Sequence, residues 1–449
     1  MFSLPRTGRP LLLSFAVAFS PRSFQRAMVL LIGAILAMGR RTVTNVLWTA
    51  RSIAEGHFSS YHRLFSRASW SLWPLGKALS SAVLAWIPED QPVPVAADDT
   101  VAQHRGPKVY GKARHRDAVR SSHSMTVWKW GHKWVVLAIV VQLPFTSRRW
   151  ALPVLCALYR SKEQNRAEGR RHKTPAQLAR QLMAALIRWF PRRKFVFLGD
   201  GGFGSHELAR FFVRGRHRRH ATLVSRFYPD AALYAPPTRS RIGRPRVKGR
   251  KLPSPRKVVA QRKKGKRRTV TWYGGATRRV QLISDVGQWY RIGQGLVPVR
   301  WVHVRDLDGT HRYDWVYSTD PTLSPPQIVS FFTGRWPIET TFQEVRHHLG
   351  FETTRQRAEK SVLRAGPCLL GLFSVVCLIY AEQASRSKAS VHRTPWYLKG
   401  EPTFSDALAA VRRLFWEQCL FKQACFAGGV QKLPPPLRRM LLETVCHAA

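Results

Sequence analysis

The alternation of strand-like and helix-like segments between residues 92 and 225 constrains the fold of this chain more than any other feature. Short apolar runs bounded by turns favour strands, and apolar residues at three- and four-residue intervals favour helices. Thr174, Pro175 and Gln177 form a typical helix start, with a cap, a proline at the first position and a glutamine three residues after the cap. The order predicts a mixed α/β sheet covered by helices: strands at 92–99, 125–130 and 134–143 with a turn at Gly131-His132, a helix from Thr174, a strand at 194–198, a helix from Ser205 and a strand at 220–225.

The net charge indicates a polyanionic partner. The 449 residues include 74 Lys and Arg against 25 Asp and Glu, a formal net charge of +49. Because so many positive charges repel one another within one molecule, a polyanion is needed to neutralise them. Nucleic acid is the first candidate partner and an anionic membrane the second. With 45% hydrophobic residues, the chain is not a disordered polycation. The six cysteines show no Cys-x-x-Cys spacing, which favours a reducing compartment over a zinc site or a disulfide framework.

Composition divides the chain into five regions. Apolar stretches at 11–19, 28–38 and 365–380 are shorter than the ~20 residues of a membrane span, so buried helices are predicted and membrane insertion is the weaker alternative. The predicted regions are a helical N-terminal DNA-binding region at 1–88, the first part of the α/β core at 89–228, a basic arm (239–268) with a strand-rich segment at 229–322, a helical part of the core at 323–384 and a C-terminal helical region at 385–449. The arm is expected to be poorly ordered until it meets an anion.

Two of the scarce acids end predicted strands, and a third lies near a helix start. Asp98 ends the first strand and Asp200 the fourth, which places both at the carboxyl edge of the sheet, where α/β folds build their sites. Two carboxylates brought close together there repel each other unless divalent cations lie between them. Glu339, just after Pro337, supplies a third carboxylate for the coordination of two Mg²⁺ ions.

Two arginines flank the glutamate. Arg335 lies four residues before Glu339, and Arg346 lies seven residues after it, two turns down the same helix face. A carboxylate between two guanidinium groups suits a metal-bound phosphodiester, because the acid holds the ion while the arginines hold the neighbouring phosphates.

These motifs resemble the DDE transposases of bacterial insertion sequences, in the group with a Tyr-Arg-Glu-Lys signature. Phe332, Arg335, Glu339 and Arg346 stand at the spacings of that signature, with Phe in place of Tyr and Arg in place of Lys. Asp98-Asp99-Thr100 matches the context of the family's first Asp, and Asp200-Gly201-Gly202-Phe203 that of the second. The resemblance covers roughly residues 90 to 360.

The resemblance implies a fold and an activity. The fold would be a ribonuclease H-like mixed sheet with helices on both faces, a β-rich insertion between Asp200 and Glu339, and helical N- and C-terminal regions. The activity would be cleavage of double-stranded DNA at terminal inverted repeats and strand transfer to target DNA, with two Mg²⁺ ions for which Mn²⁺ is expected to substitute. A homodimer in the DNA complex and the cytoplasm of a bacterium, at the nucleoid, are expected. The candidate DNA contacts are Arg335, Arg346, Phe332, Lys108, Thr100, Trp289, Arg40 and Arg41.

Several alternatives stay open. Either Asp98 or Asp99 is the metal ligand, because adjacent strand residues face opposite sides, and the Asp-x-Thr pattern selects Asp98. Trp289 either stacks on an extruded base or packs in the core of the β-rich segment. Arg40 and Arg41 could belong to a helical N-terminal region that is only a small core.

Other functional classes compete for the same residues. The glycines from Gly199 to Gly204 also fit a dinucleotide-binding fingerprint, but Asp200 within them would repel a pyrophosphate. His347-His348 lacks a third soft ligand nearby, so a solvated pair is favoured over a metal site. The departures at Phe332 and Arg346 leave a catalytically inactive or domesticated DNA-binding protein as the alternative function.

Overall fold

A mixed sheet of eleven strands organises the part of the chain that the structure describes. The computed structural model describes residues 4–117, 121, 124–238, 246–262, 264–309, 313–386, 391, 396, 399–421, 429–430 and 432–447. The predicted arm therefore lies partly outside the described residues, as does the start of the predicted C-terminal region. The strands are β1 (Val93–Gln103), β2 (Ala113–Arg116), β3 (Trp128–Gln142), β4 (Arg149–Tyr159), β5 (Phe195–Gly199), β6 (Ala221–Arg226), β7 (Leu233–Tyr234), β8 (Lys266–Thr271), β9 (Thr277–Arg291), β10 (Gly295–Asp306) and β11 (Tyr313–Ser318).

The centre of the sheet has the ribonuclease H-like order β4-β3-β1-β5-β6. Strands β1, β5 and β6 run parallel, whereas β3 is antiparallel to both β1 and β4. All five residues of β5 are buried, as expected for a parallel strand covered on both faces. The fold class predicted from the sequence is confirmed.

The strand-rich insertion extends this sheet. Strand β11 pairs antiparallel with β6, and β10, β9 and β7 follow in order, with β8 also on β9. Trp301 on β10 is 1% exposed and Trp272 is 8% exposed, so both contribute to the core. The insertion therefore adds to the edge of the sheet beside β6.

Helices cover the sheet and flank it. Their bounds are α1 (Arg9–Ser14), α2 (Pro21–Leu36), α3 (Val43–Thr49), α4 (Phe58–Ser66), α5 (Leu72–Leu84), α6 (Lys162–Ala167), α7 (Pro175–Trp189), α8 (His206–Val213), α9 (Pro255–Gln261), α10 (Pro325–Thr333), α11 (Pro337–Leu349), α12 (Glu359–Arg386), α13 (Phe404–Phe415) and α14 (Pro435–His447). On β5, Val196 packs in one cluster with Ile328 and Val329 of α10, whereas the Phe197 ring packs against that of Phe212 on α8, with centroids 5.2 Å apart. Because neighbouring strand residues face opposite sides, these helices lie on opposite faces of the sheet.

The predicted helix start at Thr174 is confirmed. The Thr174 side chain accepts a hydrogen bond from the Gln177 backbone N–H, and the Gln177 side chain accepts one from the Thr174 N–H. This reciprocal pair satisfies two of the backbone donors that a helix start leaves without partners.

Two strand predictions were wrong. The predicted turn at Gly131-His132 does not exist, since β3 runs without interruption from Trp128 to Gln142. A Cβ on Gly131 would lie 2.0 Å from the Ala102 carbonyl oxygen, so this glycine permits a close strand approach. Strand β4 was missed because it contains Pro153, and a proline argues against a strand. In the structure Pro153 lies at a β-bulge, where the register between β4 and β3 shifts.

One helix in the described ranges, α12, is long and apolar enough to cross a membrane by length and composition. However, 78% of its most apolar window is buried inside the protein. This burial matches the buried helix predicted for residues 365–380.

A buried arginine joins α12 to the N-terminal helices. Arg364 is 9% exposed, and its guanidinium donates hydrogen bonds to four carbonyl oxygens at distances of 2.7–3.2 Å, those of Leu64, Phe65, Ala68 and Trp70. It also lies 4.4 Å from the centre of the Trp70 ring. The Arg364 side chain therefore supplies hydrogen-bond donors to the backbone carbonyl oxygens around the end of α4.

Replacing Arg364 with Met is expected to lower the free energy of unfolding by about 3 kcal/mol, because buried carbonyls would lose their donors. Chemical denaturation measures the loss. Arg386→Met on the same helix is the matched control, since Arg386 is exposed and pairs with Glu382, one turn before it; its effect should stay below ~0.5 kcal/mol. Equal effects of the two substitutions would contradict the structural role given to Arg364.

Candidate active site

Asp98 and Asp200 lie side by side directly after the last β1–β5 pair, although β1 itself continues past Asp98 to Gln103. Strand β1 pairs in parallel with β5 in the register Ala97 to Gly199, so the next residue on each strand is an aspartate. The Asp200 carboxylate accepts a hydrogen bond of 2.9 Å from the Gly202 N–H at the start of a short 3₁₀ turn. The backbone thereby fixes the position of the second acid.

Glycines make this turn possible. A Cβ on Gly199 would lie 2.7 Å from the Phe203 Cβ, and one on Gly204 would lie 2.7 Å from the Arg226 carbonyl oxygen. Neither space admits a side chain. These glycines therefore serve a tight turn from strand to helix.

Arg335 connects the first aspartate to the glutamate. Its Nη1 donates to Asp98 Oδ2 at 2.6 Å, and its Nη2 donates to Glu339 Oε1 at 2.7 Å. The side chains of Asp98 and Arg335 are only 16% and 11% exposed, whereas that of Glu339 is 47% exposed. Pro337 starts α11 and places Glu339 in its first turn, where the helix dipole favours a carboxylate.

The electrostatics of the site centre on Asp98. Burial raises the pKa of Asp98 to about 7; Arg335 opposes this rise, and the nearby charge of Asp200 adds to it. The charges of Asp98, Glu339 and Asp200 raise the pKa of the Arg335 guanidinium, whereas burial lowers it. All three predicted acids are therefore close enough to Arg335 to act on its charge.

The structure distinguishes Asp98 from Asp99. Asp99 forms an ion pair of 2.9 Å with Lys133 on β3, and burial raises the pKa of its carboxyl while Lys133 opposes the rise. Since adjacent strand residues face opposite sides, Asp99 lies on the other face from the contact between Asp98 and Arg335. This geometry favours Asp98 as the first acid.

The donors suit a hard divalent cation, but they are engaged by Arg335. Carboxylate oxygens are the ligands that Mg²⁺ and Mn²⁺ prefer. Among the described residues, no three His, Cys, Asp or Glu side chains are arranged to hold a metal ion directly. Asp98 Oδ2 and Glu339 Oε1 both contact the guanidinium, so the site already accommodates positive charge between these carboxylates. A cation bound by the same two oxygens requires Arg335 to move.

Arg346 lies further along α11 and reaches the end of β1. Its Nη2 donates to Thr100 Oγ1, and its Nε lies 3.5 Å from Glu352 Oε1. Arg346 and Thr100 thus form one contact directly beyond the aspartates, and Thr100 is 4% exposed. Lys108 and Arg40 are exposed at the surface, where a phosphate could reach them.

Besides Thr100, three of the predicted DNA contacts have their functional groups inside the protein. Arg41 is 7% exposed and donates to carbonyl oxygens of Ala34, Gly39 and His348. Phe332 and Trp289 are 5% and 7% exposed and pack in the core. For Trp289 the structure matches the alternative of a core residue, and the prediction that Arg41 contacts DNA is contradicted because its guanidinium is already used within the fold.

Two residues near the site were missed from the sequence. Tyr273, from the turn after β8, lies close enough to Asp314, Arg226, Arg335 and Glu339 for their charges to act on its pKa, which burial raises. Lys133 holds Asp99 away from the other acids. Nothing in the local sequence around Tyr273 signals this position, because the insertion brings it there from 66 residues before Glu339, as 339 − 273 shows.

Comparisons with known proteins give two findings. A model of the DDE superfamily endonuclease family matches residues 14–279, a range that includes Asp98 and Asp200 and ends before Glu339. Among solved structures, the piggyBac transposase in a cryo-EM synaptic complex with hairpin DNA is similar with a TM-score of 0.43 and 12% identity, over 94% of this chain and 76% of that chain. No curated protein matches the chain significantly.

Proposed function

Because the matched range spans more than half of its length, this chain belongs to the DDE superfamily of endonucleases, and we propose that it is a transposase that nicks DNA at the ends of its own element and transfers the freed 3′ hydroxyl to target DNA. The observation that supports this proposal is the contact of Arg335 with Asp98 and Glu339, beside Asp200. In a chain with only 25 acids, three of them surround one cationic group. A site that holds positive charge between carboxylates suits divalent cations and a phosphodiester.

The proposed roles follow from these positions. Asp98, Asp200 and Glu339 would hold two Mg²⁺ ions, with Mn²⁺ able to substitute. Such ions, when bound, activate water and stabilise charge on the attacked phosphate. Arg335 and Arg346 carry the guanidinium groups that orient the flanking phosphates. No protein nucleophile is needed, since water and then the DNA 3′ hydroxyl attack.

The proposed partner is double-stranded DNA, as terminal inverted repeats and as target. The net charge of +49 supports sequence-independent affinity that falls steeply with salt, to which exposed Lys108, Arg40 and the basic arm at 239–268 contribute. We propose a homodimer in the DNA complex, because two element ends must be held together, and a location in the bacterial cytoplasm at the nucleoid.

A plasmid that carries the short inverted repeats flanking the gene tests the proposal. With Mg²⁺ or Mn²⁺, the protein should nick the plasmid at the repeat ends, and EDTA should prevent the nick. Binding of the repeats without any metal-dependent nick would overturn the proposed activity. It would favour the alternative of a catalytically inactive DNA-binding protein, which the departures from the signature at Phe332 and Arg346 support.

Metal affinity is expected to depend on pH through Asp98. Because burial raises the pKa of Asp98 to about 7, a proton competes with the cation below that pH. The affinity for Mn²⁺, measured by calorimetry between pH 5.5 and 8.5, should rise about tenfold per unit up to pH ~7 and then level off. Asp98→Asn should bind weakly at every pH. A constant affinity of the unsubstituted protein over this range would contradict the expectation.

A further inference from the structure

A two-stranded ribbon projects from the sheet and exposes two tryptophans. The ribbon consists of residues 113–116 of β2 and 128–131 of β3, paired from Ala113–Gly131 to Arg116–Trp128. Strand β4 pairs with β3 only from Lys133 onwards, so the ribbon continues beyond it. Trp128 is 49% exposed and Trp130 is 55% exposed. Two half-exposed indoles on neighbouring positions of one strand face are not explained by the core.

Cations accompany both indoles. The Arg114 guanidinium carbon lies 4.9 Å from the centre of the Trp128 ring, and Lys112 Nζ lies 5.2 Å from that of Trp130. Arg116 stands directly opposite Trp128. Within the described ranges, no ion pair involves Lys112, Arg114 or Arg116, although the Lys112 ammonium donates a hydrogen bond to the Gly106 carbonyl oxygen. Each cation lies over one side of its ring, and about half of each tryptophan is exposed.

The ribbon shares a sheet face with the candidate active site. Residues 128, 130 and 136 of β3 face the same side by alternation, and Val136 lies opposite Asp98. Trp128 is eight residues from Val136, or ~26 Å along the strand. This length corresponds to ~8 nucleotides of one stacked strand.

Contacts to other elements hold the base of the ribbon. Lys129 pairs with Glu352 at 3.3 Å, and Glu352 also lies 3.5 Å from Arg346 beside the site. The His132 ring is 2.8 Å from the Tyr110 carbonyl oxygen, and the Tyr110 N–H donates to the Arg357 carbonyl. The ribbon is therefore a fixed surface connected to the helix that carries Glu339.

We propose that the ribbon binds an unpaired stretch of the DNA that leads away from the candidate active site. Bases stack on Trp128 and Trp130, and phosphates contact Lys112, Arg114 and Arg116. Aromatic rings interleaved with cations form the usual platform for unpaired nucleic acid, since every base has a face that can stack. This proposal rests on the proposed function, which identifies the DNA. It assigns the ribbon as the surface that holds strands separated near the cleaved bond.

Binding in EDTA tests the ribbon apart from cleavage. Two DNAs are compared: the blunt terminal repeat, and the same repeat with a single-stranded extension of about eight nucleotides that contains 2-aminopurine. The protein should quench 2-aminopurine by stacking. Trp128→Ala and Trp130→Ala should each weaken binding of the extended DNA about tenfold, abolish much of the quenching and leave the blunt DNA within twofold. Trp128→Phe should retain the quenching.

Trp48 provides the matched control. It is 69% exposed on α3, and the Arg51 guanidinium lies 4.9 Å from its ring centre. Trp48→Ala should leave the quenching unchanged. The proposed role of the ribbon would be overturned if its variants bound both DNAs like the unsubstituted protein, or lost affinity equally for both. The transposase proposal would be unaffected by either result. Failure of the unsubstituted protein to bind any of these DNAs would overturn both.

Discussion

Asp200→Asn is expected to reduce Mg²⁺-dependent DNA cleavage by about 10³-fold while leaving DNA binding intact. The substitution keeps the shape of the side chain and its capacity to accept the Gly202 hydrogen bond, but removes the negative charge beside Asp98. Loss of a ligand charge from a two-metal site costs about 4 kcal/mol of transition-state stabilisation. Glu339→Gln should have an effect of the same order. Single-turnover nicking measures cleavage, and a gel shift in EDTA measures binding.

The adjacent acids of β1 supply the control for this experiment. Asp98→Asn should inactivate like Asp200→Asn, whereas Asp99→Asn should retain activity within about tenfold, because Asp99 pairs with Lys133 on the other face. If Asp99→Asn were the inactive variant of the pair, the register of β1 proposed here for the site would be wrong. Full cleavage by Asp200→Asn or Glu339→Gln would rule out the proposed acids.

Arg335→Met is expected to destabilise the protein by about 3–5 kcal/mol at pH 8.5, because it leaves the buried Asp98 carboxylate without its counter-charge. The loss should be smaller at pH 6. Without Arg335 the pKa of Asp98 rises further above its present value of about 7, so at pH 6 the carboxyl is neutral and needs no partner. Chemical denaturation at the two pH values measures the difference. Added Mg²⁺ should recover part of the stability at pH 8.5, since a cation can replace the guanidinium.

Arg226→Met is the matched control, because Arg226 is 57% exposed and pairs with Asp314 at 3.3 Å on the surface of the insertion. Its effect should be below ~1 kcal/mol at both pH values. In addition, Asp98→Asn should remove most of the effect of Arg335→Met, since the two residues form one pair. A loss for Arg335→Met that is independent of both pH and Asp98 would contradict the electrostatic account of the site.

Local signals in the sequence predicted the central part of the fold. The apolar runs that precede two acids predicted that Asp98 and Asp200 lie together, because parallel strands place their corresponding ends side by side. The prediction that Asp98 ends its strand was wrong, since β1 continues to Gln103. Pro337 predicted the helix start that carries Glu339. These signals are local, and the parallel pairing of β1 with β5 converts them into a shared site.

Long-range contacts escaped prediction. Strand β4 was hidden by Pro153, since a bulge that tolerates proline depends on its partner strand. Arg41 looks like any surface arginine in sequence, and only its contacts in the folded chain, to the carbonyl oxygens of Ala34 and His348, show that its donors are used internally. Arg335 lies 237 positions after its partner Asp98, and spacing alone does not show which groups a guanidinium will join.

The most direct test of the central claim is an anomalous difference map from crystals of the protein grown with its repeat DNA and Mn²⁺. We expect metal peaks within about 2.0–2.5 Å of carboxylate oxygens of Asp98, Asp200 and Glu339, with Arg335 displaced from at least one of its present partners. Manganese bound elsewhere, with Arg335 still joining Asp98 to Glu339 on bound DNA, would contradict it.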